Sequence, residues 1–306
     1  MTEDPKPRRG PQDRPKKRDV NGWIVLDKGV GMTSTHAVAA VKRTLTAKKA
    51  GHAGTLDPLA SGVLPIALGE ATKTVPFVMD GRKSYVFTVA WGVETNTDDA
   101  EGDVVQRTDR VPARAEIEAL LPRFTGAIEQ IPPRFSAIKI QGERAYDLAR
   151  DGEVVELTPR QVEIDRLAVV AHSGDRSVLE ADCGKGTYVR AIARDLGRAL
   201  GCLGHVAALR RTRVGPFGEA DAVVVDDVGD PAALRPVEAA LEDLPSVAVS
   251  RDMAVRLMRG QSIILRGRDA PMAGKAYATC NGVLVAVGDV EKGEFIPHRV
   301  FNLGGR

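Results

Sequence analysis

The stretch Gly51-His52-Ala53-Gly54-Thr55-Leu56-Asp57-Pro58-Leu59-Ala60-Ser61-Gly62-Val63-Leu64-Pro65 places one carboxylate inside a constrained loop. Three glycines and two prolines restrict its backbone at many points. Pro58 pushes Asp57 into an extended or turn geometry. A carboxylate held this way suits chemistry that needs an ionised group in one fixed place. The same residue types also suit an Asx turn in which Asp57 merely caps its own loop. Three other stretches imitate known chemistry and fail on spacing. Gly29-Val30-Gly31-Met32-Thr33-Ser34 opens like a dinucleotide-binding loop but lacks its third glycine, and no acidic residue follows at the required distance. Gly184-Lys185-Gly186-Thr187 resembles the end of a phosphate-binding loop, yet Leu179 stands where its leading glycine belongs and Gly186 replaces the Ser or Thr. Asp98-Asp99-Ala100-Glu101-Gly102-Asp103 puts Thr97 and Thr108 where a calcium loop needs carboxylates, so it reads as a solvated loop.

The elements around these residues follow from hydrophobic spacing. Asn21 to Lys28 is an apolar strand ending in charge, and a helix opens at Thr33/Ser34 with Val38, Val41 and Leu45 on one stripe. Tyr85, Phe87, Val89 and Trp91 alternate on one face of a strand. Ile117, Leu120, Leu121 and Phe124 mark an amphipathic helix stopped by Gly126. Residues 177–183 read as a strand, and Val189, Ile192, Ala193, Leu196 and Leu200 as a buried helical stripe. The Asp-, Pro- and Ala-rich stretch from about 215 to 245 reads as a boundary. Beyond it a short helix from Asp252 to Arg259 precedes strands, with Asn281-Gly282 signalling a hairpin.

Composition narrows the classes. The chain has 306 residues, enough for two domains, and its 43 Lys+Arg against 41 Asp+Glu leave a net charge of +2. A polyanion partner must therefore be met by local basic patches. Residues 1–18 hold seven basic residues, three acidic ones and four prolines, the composition of a disordered basic tail. Three scattered cysteines, five dispersed histidines and no HExxH exclude a disulfide framework and argue against a metal site. No apolar run reaches the roughly 18 residues of a membrane span, and no secretory signal opens the chain. A cytoplasmic protein with reduced thiols is expected.

The run GHAGTLDPLASGVLPIALGEATK resembles the catalytic motif of the bacterial tRNA pseudouridine synthase B family. Other landmarks of that family follow in order: NGWIVLDK with GMTS, KSYVFTVAWG, PPRFSAIKIQGERAYDLARDG, CGKGTYVRAI and AALRRTRVGPF. The resemblance spans about 21 to 217, with a weaker likeness of 246–306 to an RNA-binding appendage of the PUA type. Gly29 departs from the proline usual after Asp-Lys. The resemblance implies a mixed α/β pseudouridine synthase fold with a large, mainly antiparallel sheet. It divides the chain into a tail (1–18), a catalytic domain (19–240) and a small β-rich PUA-like domain (246–306).

It also implies isomerisation of uridine 55 in the T-loop of tRNA, with no cofactor, no metal, no membrane and no obligate protein partner, by a monomer. Asp57 carries over as the catalytic carboxylate; attack on the sugar, addition to the base and removal of a sugar proton all remain open for it. Arg190 matches its arginine partner, whose guanidinium would fix the carboxylate plane. From the residues alone, Arg190 would instead share a solvated helix face with Arg194 and Arg198. Tyr85 matches the tyrosine that stacks on the extruded base, and Tyr188 a second tyrosine of the pocket. His52 matches a residue that positions RNA, and Leu209 an apolar pocket wall. Lys28, Lys139, Arg210 and Arg211 are candidate phosphate contacts. Residues from about 141 to 160 match a segment that closes on RNA. A guide-RNA-dependent pseudouridylase and a tRNA-folding chaperone are the alternatives, separated by activity of the isolated protein on tRNA.

Overall fold

Strand β1 (Gly22–Lys28) is buried along almost its whole length in the computed structural model, which describes residues 16–135, 139–140, 143–144, 157–265, 271 and 273–303. Alternate residues of a strand point to opposite faces. Ile24 and Leu26 face one hydrophobic cluster, Trp23 and Val25 another, so both faces are covered and the strand reads as a continuous apolar run. Thr33 caps helix α1 (Ser34–Thr44) by accepting a bond from His36 N–H. Then come β2 (Ala50–His52), β3 (Ala60–Leu68), a short α2 (Val75–Asp80) and β4 (Lys83–Trp91). A small hairpin, β5 (Val93–Thr95) with β6 (Val104–Arg107), precedes α3 (Arg114–Leu120). The stripe over Ile117–Phe124 is α-helical only to Leu120. Pro122 cannot donate to the preceding turn, and residues Leu121–Phe124 tighten into a 3-10 turn.

The remaining elements of this unit are β7 (Gly126–Gln130), β8 (Lys139–Ile140), β9 (Glu143–Arg144), β10 (Arg160–Ser173), β11 (Arg176–Cys183), α4 (Val189–Ala199), β12 (Gly204–Val214), β13 (Phe217–Gly218) and β14 (Leu234–Arg235). Ten strands form one sheet in the order β14-β1-β3-β12-β4-β11-β10-β7, with β2 on β3 and β13 on β12. Among the described strands of this sheet only β12 and β3 pair parallel and the other pairs are antiparallel, as the resemblance implied. The segment expected to close on RNA, 141–160, falls almost wholly outside the described residues.

Two expectations change. Arg18, assigned to the tail, is tied by its backbone to Thr46 and Lys48. The stretch 215–245 is a belt, not a loose boundary. Its turns bury Val228, Val237, Ala240 and Leu241, and β14 adds a strand to the sheet edge.

The C-terminal unit is a five-stranded sheet, β15 (Ser246–Ala248), β17 (Ala273–Cys280), β18 (Val283–Glu291), β19 (Glu294–Val300) and β16 (Ile263–Ile264), packed on helix α5 (Arg251–Met258). Asn281 and Gly282 both take left-handed φ values, +50° and +77°, which turns β17 into β18. This unit has its own core around Leu257, Ala278 and Phe295. It also contributes Leu284, Val287 and Phe301 to the cluster on Trp23 and Val78, so the two units share apolar packing. Lys73 donates to Val300 O at 2.8 Å and Glu70 accepts from Asn302 N–H at 2.7 Å across that junction.

Candidate active site

Asp57 lies on the loop between β2 and β3, and every carbonyl from Gly54 to Pro58 has a donor. Arg211 Nη2 reaches Gly54 O and Nη1 reaches Thr55 O, both at 3.2 Å. Ser34 Oγ donates to Leu56 O at 2.9 Å and accepts from Leu56 N–H at 2.8 Å, using both roles of one hydroxyl. Ala60 N–H bonds Asp57 O, and Gly31 N–H bonds Pro58 O at 2.7 Å. Gly62 follows at φ +101°, where a Cβ would lie 2.2 Å from Arg211 O; only glycine lets β3 and β12 approach this closely.

The Asp57 carboxylate is partly exposed and lines a cavity. Its Oδ2 lies 3.1 Å from Nη2 of Arg190, in the first turn of α4. The Arg190 side chain is 7% exposed, against 35% for Asp57. Nη1 of Arg190 pairs with Asp99 Oδ2 at 3.3 Å and donates to Thr97 O, while Nη2 also donates to Phe135 O. The guanidinium is thus held from several sides.

Of the arginines at i, i+4 and i+8 of α4, Arg190 and Arg194 are buried, and only Arg198 stays exposed as the solvated-face reading expected. Arg190, Arg194 and Arg198 meet Asp99, Asp98 and Glu94 in turn, from the β5–β6 hairpin and its turn. The acidic run read as a solvated loop therefore supplies buried counterions: Asp98 and Asp99 are 6% and 3% exposed. Burial pushes the Asp98 carboxyl up to about 6, even with Arg194 opposing the shift. Hydrogen bonds from Arg198 hold Glu94 below the usual carboxylate range.

Asp57 opens into a cavity of about 540 Å³, walled also by Tyr85, Tyr188, Arg190, Leu209 and Arg211. That volume lies in the range of small-molecule and cofactor sites. Tyr85 comes from β4 and Leu209 from β12, paired strands in the middle of the sheet. Burial pushes the Tyr85 phenol above its ordinary value, against the pull of the Arg211 guanidinium. Tyr188 precedes α4, and Gln130 clamps its peptide, accepting from Tyr188 N–H at 2.8 Å and donating to Tyr188 O. The turn Gly184-Lys185-Gly186-Thr187 forms one rim, and Lys185 pairs with Asp80 of the other at 2.9 Å.

Other sequence-derived candidates stand elsewhere. His52, paired with Ile66 across β2 and β3, does not line the cavity. Lys28 is wholly buried and donates to Gly29 O and Met32 O; Arg211 is 2% exposed. Neither faces solvent, which removes both as phosphate contacts: their charge is bound to loop carbonyls. Arg210 is only partly available, because Asp27 takes both its terminal nitrogens at 3.0 Å and Glu219 takes Nε. Lys139 lies on β8, its side chain outside the described residues. Sequence reasoning missed Ser34, Gln130, Asp98 and Asp99. It also missed Lys83 on the cavity wall, which burial lowers to about 8 and which donates to Gly81 O and Met79 O. GMTS and the acidic run were visible as sequence, but nothing local in them names a partner. Among the described residues no cluster of His, Cys, Asp or Glu could hold a metal ion, and no helix is long and apolar enough to cross a membrane.

Comparison with known proteins bears on this geometry. The family profile described as "TruB family pseudouridylate synthase (N terminal domain)" matches residues 42–189, and "tRNA pseudouridylate synthase B C-terminal domain" matches 190–244. The chain is 63% identical to the tRNA pseudouridine synthase B of Bradyrhizobium diazoefficiens, over 98% of this chain and 91% of that protein. It is 56% identical to that of Rhizobium meliloti, over 94% and 97%. Among solved structures, a Cbf5-Nop10-Gar1 complex contains a chain that is 28% identical with a TM-score of 0.69, covering 92% of this chain and 84% of that one. An H/ACA RNP bound to a substrate RNA containing 2′-deoxyuridine gives 25% identity and a TM-score of 0.70, over 93% and 85%.

Proposed function

This chain belongs to the TruB family of pseudouridylate synthases, isomerases that act on tRNA, and from that premise we propose that it converts uridine 55 of the T-loop to pseudouridine with Asp57 as its catalytic carboxylate. The target uridine leaves its stack and enters the cavity, where Tyr85 offers an aromatic face in exchange for lost base stacking. The glycosidic N1–C1′ bond breaks, the base turns, and C5 bonds to C1′. The proton leaves C5 and one is gained at N1, so the reaction is redox-neutral and consumes no water.

The observation that carries this reading is the Asp57–Arg190 pair in the cavity wall, on a loop whose carbonyls from Gly54 to Pro58 are all engaged. A glycoside hydrolase would place two carboxylates about 5 to 9.5 Å apart around the reacting sugar. Here the other acid lining the cavity, Asp80, stands at the rim with an exposed side chain paired to Lys185. Leu209 and Tyr188 give the detached base an apolar and aromatic enclosure, which disfavours its loss to water. The C-terminal unit, read as PUA-like, extends the RNA contact beyond the T-arm. High identity to chains named tRNA pseudouridine synthase B over nearly the whole length supports tRNA as substrate over a guide-dependent mode.

The test is to incubate the purified protein alone with unmodified tRNA transcript and map pseudouridine. Conversion confined to position 55 is expected. Conversion elsewhere, or only after partner proteins are added, contradicts the proposal.

A further inference from the structure

Arg211 is a buried cation without a carboxylate on it. Its side chain is almost fully enclosed, yet among the described residues no Asp or Glu oxygen lies within ion-pair distance of its nitrogens. Burying a charge is costly unless every donor is engaged. The donors are engaged by backbone: Nε on Val63 O at 2.9 Å, Nη1 on Thr55 O and Nη2 on Gly54 O. The strand register explains how this happens. On β12, Arg211 lies opposite Gly62 of β3 on one side and opposite Tyr85 of β4 on the other. Its guanidinium therefore meets the loop before Asp57, and Tyr85 stands beside it, opposite in the strand register and in the same cavity wall.

We propose that Arg211 is a positioning residue that couples the Tyr85 ring to the Asp57 loop, so that the carboxylate and the aromatic platform keep one fixed spacing. The inference rests on the roles given above to Asp57 and Tyr85. Isomerisation needs that spacing: the carboxylate must stay at the sugar while the ring follows a base that detaches and turns. The three nitrogens of a planar fork reach carbonyls spread over two segments, Gly54–Thr55 and Val63, whereas the three N–H bonds of an ammonium start from one atom and cannot span them. The cation is built between the two groups and acts through them; it need not touch RNA.

Three variants test this with tRNA transcript under single-turnover conditions, alongside tRNA binding and thermal unfolding. Arg211→Lys keeps the charge and loses the fork. Its rate of conversion is expected to fall about tenfold or more, as small misplacements at reacting groups do, with the tRNA dissociation constant within about threefold. Tyr85→Phe removes only the phenol hydroxyl, the polar group that the ring presents beside Arg211, and should itself slow conversion by about threefold or more. The double variant should be distinctly less impaired than the product of the two single effects, because both remove the same coupling. Strict additivity, or a folded Arg211→Lys protein with the wild-type rate, overturns the proposal. If Arg211→Lys does not fold, Tyr85→Phe alone decides: an unchanged rate overturns it and a slowed rate with intact binding supports it. Activity of an Asp57→Asn control would instead sink the underlying assignment of Asp57, and is read separately.

Discussion

Arg190 and Arg211 flank the same loop and are both buried, but their surroundings are opposite. Arg190 meets two carboxylates, Asp57 at 3.1 Å and Asp99 at 3.3 Å. Arg211 meets three carbonyls, with Tyr85 opposite it in the strand register. The first arrangement acts on a side chain: one guanidinium nitrogen lies against one oxygen of the Asp57 carboxylate. The second fixes a backbone, the peptide units that carry Asp57 into place. The loop proposed to carry the reacting carboxylate has both needs, and two cations from different elements, a helix start and a central strand, divide them.

The largest effect should come from the side-chain arm. Arg190→Lys cannot serve Asp57 and Asp99 together, so single-turnover conversion should fall by about 100-fold while tRNA binding changes little. A rate near wild type would show that the carboxylate needs no such clamp. Arg190→Gln should also destabilise the fold by about 3–5 kcal/mol in chemical denaturation, because it leaves Asp99 buried without its cation. The backbone arm is tested next by Ser34→Ala, which strips Leu56 of both its partners. A loss of about 1–3 kcal/mol is expected, with a several-fold slower conversion. Unaltered stability would mean that solvent or a neighbour satisfies Leu56 as well as Ser34 does.

A subtler difference separates the acids behind the arginines. The Asp98 carboxyl titrates near 6 in the folded protein, from an ordinary value of 3.8. Between those values the folded state holds the extra proton, so the contribution of Asp98 to stability falls as pH rises from about 4 to 6. The change is on the order of 2–3 kcal/mol. Denaturation of wild type and Asp98→Asn across this window should show wild type losing stability relative to the variant as pH rises; a constant difference contradicts the assignment. The smallest effect belongs to exposed charge in the C-terminal unit. Lys275 pairs with Asp289 at 3.2 Å with its side chain mostly in solvent. Lys275→Ala should change stability by about 0.5 kcal/mol or less, while lowering the salt slope of full-length tRNA binding by slightly less than one. An unchanged slope would remove Lys275 from the RNA surface.

The same contrast explains what the sequence makes legible. Glycine and proline around Asp57, the alternation from Tyr85 to Trp91 and the Asn281-Gly282 turn are local signals, and local signals read directly. The Asp57–Arg190 pair was accessible through the resemblance, because both residues sit in long motifs. The partners of Arg190 and Arg194 were not. Asp98 and Asp99 are some 90 residues away in the chain, inside a run whose composition looks solvated. Burial of a charge is set by what packs over it, which no window of sequence contains. Lys28 and Arg211 mislead for the same reason: a basic residue at a strand end or mid-strand looks like a surface contact until the neighbouring loop is seen to cover it. The shared cluster of Phe301 with Trp23 likewise joins units that composition separates.

The central claim is that Asp57 performs the chemistry while the rest of the site holds it and the RNA. The most direct measurement is Asp57→Asn with excess enzyme over radiolabelled tRNA transcript, scoring both binding and pseudouridine at position 55. The account predicts a dissociation constant within about threefold of wild type, since phosphate contacts dominate affinity, and no detectable isomer. More than a trace of pseudouridine formed by the Asp57→Asn enzyme in a single turnover would contradict it.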